Sequence, residues 1–343
     1  MSATAQRVQD QKQQEEDDYA AEECFQLVDD LSKMNINVSD IDKLKAQNIV
    51  TLSALSHATT RTLLDIKGFT EAKVAKIVEA ARKLDSTGST TFKTGLQVRE
   101  QRRAVIKVTT GSKELDTILG GGIETASITE VFGEFRSGKT QLMHTLCVSS
   151  QLSKDMGGAE GRAVYMDTEG NFRDERIGQI AERFGLGVDE TLENVIVSRV
   201  HNSEHQINVA RAVAALCVSD GPIRVLIIDS VIAHFRTDYS GRGDLAERQQ
   251  KLSRHMSDLT RLAEEMNVAV VIINQVMSDP SGMSMFNTVK PVGGHVMSHA
   301  SCTRVMLKKG KGEERIAKIY DSPSMPEAEA TFKISAGGIC DTD

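Results

Sequence analysis

Residues 133 to 140 read Gly-Glu-Phe-Arg-Ser-Gly-Lys-Thr, between the apolar run 128–132 and the helix-like segment QLMHTLCVSSQL. The spacing is G-x-x-x-x-G-K-[ST], and a strand before it with a helix after it leaves few folds open. Gly133 and Gly138 let the loop wrap a phosphate chain with backbone N–H groups. Glu134, Phe135, Arg136, Ser137 and the following Gln141 belong to the same cradle. Lys139 supplies a point charge for the β and γ phosphates, and Thr140 offers a hydroxyl to Mg²⁺. ATP with Mg²⁺ is the expected cofactor.

From residue 104 onward, short β-branched runs alternate with helical patterns: SITEVF, AVYMD, NVIVSRV, IRVLIID and NVAVVII are separated by segments such as DERIGQIAERFG and SEHQINVARAVAAL. That alternation predicts βαβ units around a mainly parallel sheet, an α/β core. TRVMLKK, RIAKIY and ATFKIS are spaced like antiparallel strands extending it. VLIIDS ends in Asp229, where a carboxylate at a strand's C-terminal edge stands beside the metal. AVYMDTEG supplies Glu169 to polarise an attacking water, with Asp167 as the alternative. VIINQV places Gln275 at the end of another strand, within reach of a γ-phosphate; a simple strand cap is the other reading.

Ahead of this core the chain changes character. Residues 1–20 are Gln- and acid-rich, the composition of a disordered tail. Over residues 21–84 the pattern is helical, and LLDIKGFTEAKVAKI resembles a helix-hairpin-helix, with Gly68 at its turn. Two packed helices with a Gly turn would read the same way. Residues 85–103 show neither period and read as a linker; Phe92 stands alone in it, an apolar side chain that either tucks onto its own domain or enters a neighbour's pocket. The core then spans 104–343.

Of the 343 residues 40% are hydrophobic, enough for a buried core, and no apolar run approaches the ~18 residues of a membrane span. The N-terminus has no signal-peptide core. Five scattered cysteines without a C-x-x-C pair suggest neither a disulfide framework nor a zinc site. His201 with His205 and His295 with His299 have i, i+4 spacing but no third ligand nearby. The net charge of −7 falls within residues 1–30, where Arg7 and Lys12 face nine acidic side chains, so the remainder is formally neutral. Basic stretches there can still face an anionic polymer. The loop after Asp229, SVIAHFRTDYSGRGDLAERQQK, presents Arg236 and Arg242 for phosphates. The loop after Gln275, VMSDPSGMSMFNTVKPVGGH, presents Met283, Met285 and Phe286 for wedging against bases or stacking on them, packing on itself or on a neighbour being the other reading.

Taken together, TGSKELDTILGGGIETASITEVFGEFRSGKTQL, SGRGDLAERQQKL, NQV, GGHVMSHAS and KIYDSPSMPEAEATF resemble the eukaryotic RecA-like strand-exchange recombinases over nearly the whole chain. SDP after NQVM and the ending ATFKISAGGI are more similar to the meiosis-specific branch. The resemblance implies a RecA-like P-loop core with a small all-α helix-hairpin-helix domain. It implies a helical filament of protomers on single-stranded DNA, or a ring without DNA, that pairs with homologous double-stranded DNA. It also implies recombination mediator proteins as partners, a nuclear location and no membrane role. By the same resemblance, Arg176 lies along the adenine, while Asp321 and Pro323 cap the ATP of a neighbouring protomer and His299 approaches its γ-phosphate. Arg236, Arg242, Pro280, Met283, Phe286 and Lys290 would contact DNA, and Phe92 would dock into the adjacent subunit.

Three departures stand out. The docking motif Phe-x-x-Ala reads FKTG, with Gly95 in place of alanine. Asp174 stands where the family has proline. The second DNA loop is about two residues short and keeps only Lys290 of a basic pair, which predicts weaker and less salt-dependent binding through it, by ~0.7 in log–log slope per lost contact on single strands. A non-exchanging accessory protein, a mitotic-type recombinase and a ring helicase are the alternative readings.

Overall fold

The computed structural model describes residues 25–84, 92–241, 243–278 and 289–342. They form two units, one ending at Val105 and one beginning at Ile106. The acidic tail 1–20, Arg242, Pro280, Met283, Met285 and Phe286 lie outside the described residues.

In the first unit, a 3₁₀ turn at Val28–Met34 precedes four helices: α1 (Val38–Lys45), α2 (Leu52–His57), α3 (Thr60–Leu64) and α4 (Glu71–Leu84). Side-chain oxygens of Asn37, Thr51 and Thr59 accept main-chain N–H bonds at the starts of α1, α2 and α3, satisfying donors that have no partner inside the helix. Leu31, Leu44, Leu55 and Leu63 are fully buried, each worth about 1.5–3 kcal/mol. Leu64 and Val78 are partly buried and pack at its margin. Gly68 has φ +88° at the turn between α3 and α4, a conformation a β-carbon disfavours.

The expected linker is not patternless. It contains α5 (Gly95–Gln101), ended by a 3₁₀ turn at Arg102–Ala104. Thr94 and Gln97 exchange the hydrogen bonds of a reciprocal cap, Gln97 N to Thr94 Oγ1 at 3.3 Å and Thr94 N to Gln97 Oε1 at 2.8 Å. Phe92 just ahead is fully exposed.

The second unit opens with a two-stranded ribbon, β1 (Lys107–Val108) and β2 (Ile123–Glu124), joined through α6 (Lys113–Ile118). The chain then runs β3 (Ser127–Gly133), α7 (Lys139–Ser149), β4 (Arg162–Asp167), α8 (Asp174–Phe184), α9 (Val188–Glu193), β5 (Val195–Arg199), α10 (Ser203–Ser219) and β6 (Ile223–Asp229). After it come α11 (Ala233–Asp238), α12 (Leu245–Met266), β7 (Ala269–Asn274), the hairpin β8 (Val276–Ser278) with β9 (Val289–Pro291), and α13 (Gly294–Ala300). Four strands close the fold: β10 (Thr303–Lys309), β11 (Glu314–Asp321), β12 (Glu329–Ser335) and β13 (Gly338–Asp341).

Among the described residues, nine strands make one sheet in the order β13-β12-β11-β10-β3-β7-β6-β4-β5. β6 and β7 are buried at every residue, as strands covered on both faces are. The expectation that the last strands add antiparallel needs one correction. β10 joins β3 in parallel, and only β11, β12 and β13 alternate, because α13 carries the chain back before β10 begins as a crossover helix does. Parallel register sets Asp167 beside Asp229 and Phe132 beside Asn274, so the ends of β3, β4, β6 and β7 meet at one edge. Among the described residues, no helix is long and apolar enough to cross a membrane.

Candidate active site

At that edge lies a cavity of about 790 Å³ lined by the phosphate loop, the start of α7, Glu169, Asp229 and Gln275. Two glycines fix the loop's path. A β-carbon on Gly133 would sit 2.1 Å from the Leu307 carbonyl oxygen, and one on Gly138, at φ +99°, would sit 2.9 Å from Ile334 Cδ1. Arg136, at φ +62°, carries its guanidinium over the Phe135 ring, 5.4 Å from the centroid, and Phe135 is 86% exposed.

Lys139 Nζ donates to the carbonyls of Gly133 and Glu134, both at 2.8 Å, and lies 3.5 Å from Ser137 Oγ. Its ammonium is thereby held over the loop, and burial lowers its pKa against the opposing pull of Asp229 and Glu169. Thr140 Oγ1 and the Tyr165 hydroxyl both donate to Asp229 Oδ2, at 3.0 and 2.9 Å. Burial raises the Asp229 carboxyl to about 6, with Glu169 and Asp167 adding repulsion and the two hydroxyls opposing it. An oxygen-only pair of this kind suits a hard cation that takes its other ligands from phosphates and water. Among the described residues no cluster of three or more His, Cys, Asp and Glu side chains could hold a metal unaided. Neither histidine pair does so; each stacks ring on ring, at 5.8 and 5.9 Å.

Glu169 Oε1 accepts from Ser230 Oγ and from Gln275 Nε2, each at 3.0 Å. Gln275 Oε1 in turn accepts from Arg236 Nη1 at 3.2 Å. The expected water-polarising acid, the expected phosphate sensor and an expected DNA contact thus form one line. Lys290, a second expected DNA contact, is exposed in β9. Asp167, the alternative acid, is committed elsewhere: its Oδ1 accepts from the N–H groups of Glu169, Gly170 and Asn171 and from Arg199 Nη1.

Arg176 Nε donates to Gln141 Oε1 at 2.7 Å, and its guanidinium holds the carbonyls of Ser335 and Ala336. Asp174 opens α8, a first-turn position that suits proline's fixed φ and equally an acid facing the helix dipole. The departure at this position therefore leaves the helix start intact. His299 lies instead in a separate cleft between α12 and α13 with Ser257 and Arg261. Asp321 ends β11 and pairs with Arg304 at the start of β10, which is the sheet edge opposite the loop, and Pro323 follows it. None of the three lines the cavity of its own chain.

Sequence reasoning missed Asn171, Arg173, Ser230, Arg315, Ile334 and His144, which also line the cavity. His144 stacks on Tyr165 at 5.7 Å and accepts from Arg173 N at 3.2 Å. Burial, aided by Arg176, holds it neutral with a pKa of about 4. Nothing local marks it, since a histidine in a buried helix has no characteristic spacing.

The sequence profile of the Rad51 family matches residues 101–342. The chain belongs to the Rad51 family. Its relatives include "Meiotic recombination protein DMC1 homolog B" of Oryza sativa subsp. japonica, 54% identical over 321 residues, covering 93% of this chain and 92% of that protein. "Meiotic recombination protein DMC1 homolog" of Lilium longiflorum is 52% identical over 333 residues, 97% of this chain and 93% of its own. "Meiotic recombination protein DMC1/LIM15 homolog" of Mus musculus is 50% identical over 338 residues, 97% and 98% respectively. The Rad51 match takes in the second unit from its start at Ile106, and every residue lining the cavity falls within it.

Proposed function

We propose that this Rad51-family chain is a meiotic strand-exchange recombinase that binds ATP with Mg²⁺ at the phosphate loop and hydrolyses it when bound to DNA. Supporting this reading most directly is the hydrogen-bonded line from Glu169 through Gln275 to Arg236. It ties a nucleotide-facing acid to a basic side chain on the loop expected to meet DNA. Lys139 and the α7 N–H groups would hold the phosphates, Thr140 and Asp229 the cation, and Arg176 the base side. The cation supplies charge neutralisation at the phosphates. Glu169 orients and deprotonates a water, and Gln275 exchanges its present partners for the γ-phosphate. Arg236 and Lys290 contact single-stranded DNA, homologous duplex is the second substrate, and protomers assemble head to tail through Phe92 into a helical filament. Mediator proteins and a nuclear location complete the reading.

The test is strand exchange between a circular single strand and homologous duplex with ATP and Mg²⁺. Wild type is expected to form joint molecules, and Lys139→Arg and Gln275→Ala to reduce them at least tenfold, about 1.4 kcal/mol. A wild type that binds ATP and DNA yet never pairs strands would instead be a non-exchanging accessory.

A further inference from the structure

A buried charge lies beneath the Gln275 line. Glu130, in the middle of β3, is fully buried, and its Oε2 accepts from Arg304 Nε at 2.6 Å, with Arg304 nearly buried as well. The Arg304 guanidinium is flanked by the rings of Phe132 and Tyr320, 5.6 and 5.3 Å from their centroids. A buried ion pair seldom adds net stability over apolar residues of the same volume. Its use must be sought in what it positions.

The other oxygen, Glu130 Oε1, accepts from Asn274 Nδ2 at 2.6 Å. The same nitrogen donates its second hydrogen to the Val292 carbonyl at 2.6 Å, and Asn274 Oδ1 accepts from Gln275 N at 2.8 Å. Val292 N closes the circuit by donating to Gln275 O at 2.9 Å. Both amide donors of Asn274 are therefore used, with its oxygen on the residue that follows it. A displacement of the Gln275 backbone cannot be absorbed at Asn274. It is passed to Val292, which follows β9, or to Glu130 and hence to Arg304, Tyr320 and the Asp321 end of β11.

We propose that Glu130, Arg304 and Asn274 are positioning residues that transmit nucleotide occupancy at Gln275 to the stem of the β8–β9 hairpin and to the end of β11. The inference rests on the reading of Gln275 as the nucleotide-facing residue and of its hairpin as a DNA contact. None of the three lines the nucleotide cavity. Their removal should leave nucleotide affinity in place while uncoupling it from DNA.

The experiment measures the affinity of the full chain for a fluorescent oligothymidine by anisotropy, with and without a non-hydrolysable ATP analogue. The ratio of the two affinities is the coupling. In the double variant Glu130→Met with Arg304→Met, volume is kept and charge removed. The ratio is expected to fall at least ~5-fold, while affinity for a fluorescent ATP analogue and for DNA without nucleotide stays within about twofold. Circular dichroism reports folding; where the double variant does not fold, Asn274→Ala, which leaves the ion pair intact, is read by the same criterion. A folded variant with the wild-type ratio overturns the relay alone. A wild type with no nucleotide dependence overturns both the relay and the recombinase reading on which it rests.

Discussion

His255 is enclosed between the Phe235 ring, 5.8 Å away, and Gln206, whose Nε2 lies 3.3 Å from His255 Nε2. Burial lowers its pKa from 6.5 to about 4, Arg211 in the same direction and Asp258 against it. The folded state keeps this ring neutral while the unfolded chain protonates it. Stability is therefore full above pH 6.5 and declines as pH falls towards 4, by about 1.4 kcal/mol per unit for each such group. His144 has the same sign and range. His255→Phe preserves the ring contact, and Gln206 Nε2 keeps its bond to the Val231 carbonyl. Urea denaturation at pH 7 and pH 5 should show a smaller loss in the variant than in the wild type. Equal losses in the two would reject this account of His255. Neither histidine announced itself in the sequence, because their burial depends on helices that meet only in the folded unit. The phosphate loop was legible for the opposite reason: Gly133, Gly138, Lys139 and Thr140 are within eight residues of one another.

Among elements, α5 is the clearest case of a local signal overlooked. Thr94 and Gln97 carry the cap that starts it, yet Gly95 at its first position and the polar composition concealed the helical period. A β-carbon on Gly95 would meet nothing within 4 Å. Gly95→Ala is therefore free of strain, and it should stabilise α5 by roughly 0.5–1 kcal/mol. If Phe92 is the docking residue, as proposed above, a better-formed α5 should shift self-association to lower protein concentration, by about two- to fivefold on that energy. Sedimentation velocity over a dilution series would show it; an unchanged midpoint would separate α5 from docking. The direction of β10 was not legible, since strand spacing fixes neither partner nor sense. The contacts of Glu130 with Asn274 and Arg304 span 144 and 174 residues. No periodicity reports such pairs, whereas the apolar runs of β6 and β7 declare their own burial.

For the whole molecule, the deciding feature is that one chain does not assemble every residue expected around ATP. Asp321 ends at the sheet edge opposite the phosphate loop. If a neighbour supplies it, Lys139→Arg and Asp321→Ala fail on different sides of the same joint. Each variant alone should hydrolyse ATP poorly on DNA. An equal mixture should recover about a quarter of the wild-type rate, the share of joints that combine two intact halves in a head-to-tail array. Steady-state phosphate release checks this, and a mixture no faster than its components would place Asp321 outside the site.

If a neighbour supplies the cap in this way, a row of such protomers would have one fewer finished site than it has members, because one end would lack it. Closing the row into a ring would then complete every site. Turnover per protomer would then rise with filament length, steeply for the shortest rows and hardly at all for long ones, so that growth itself sets the rate.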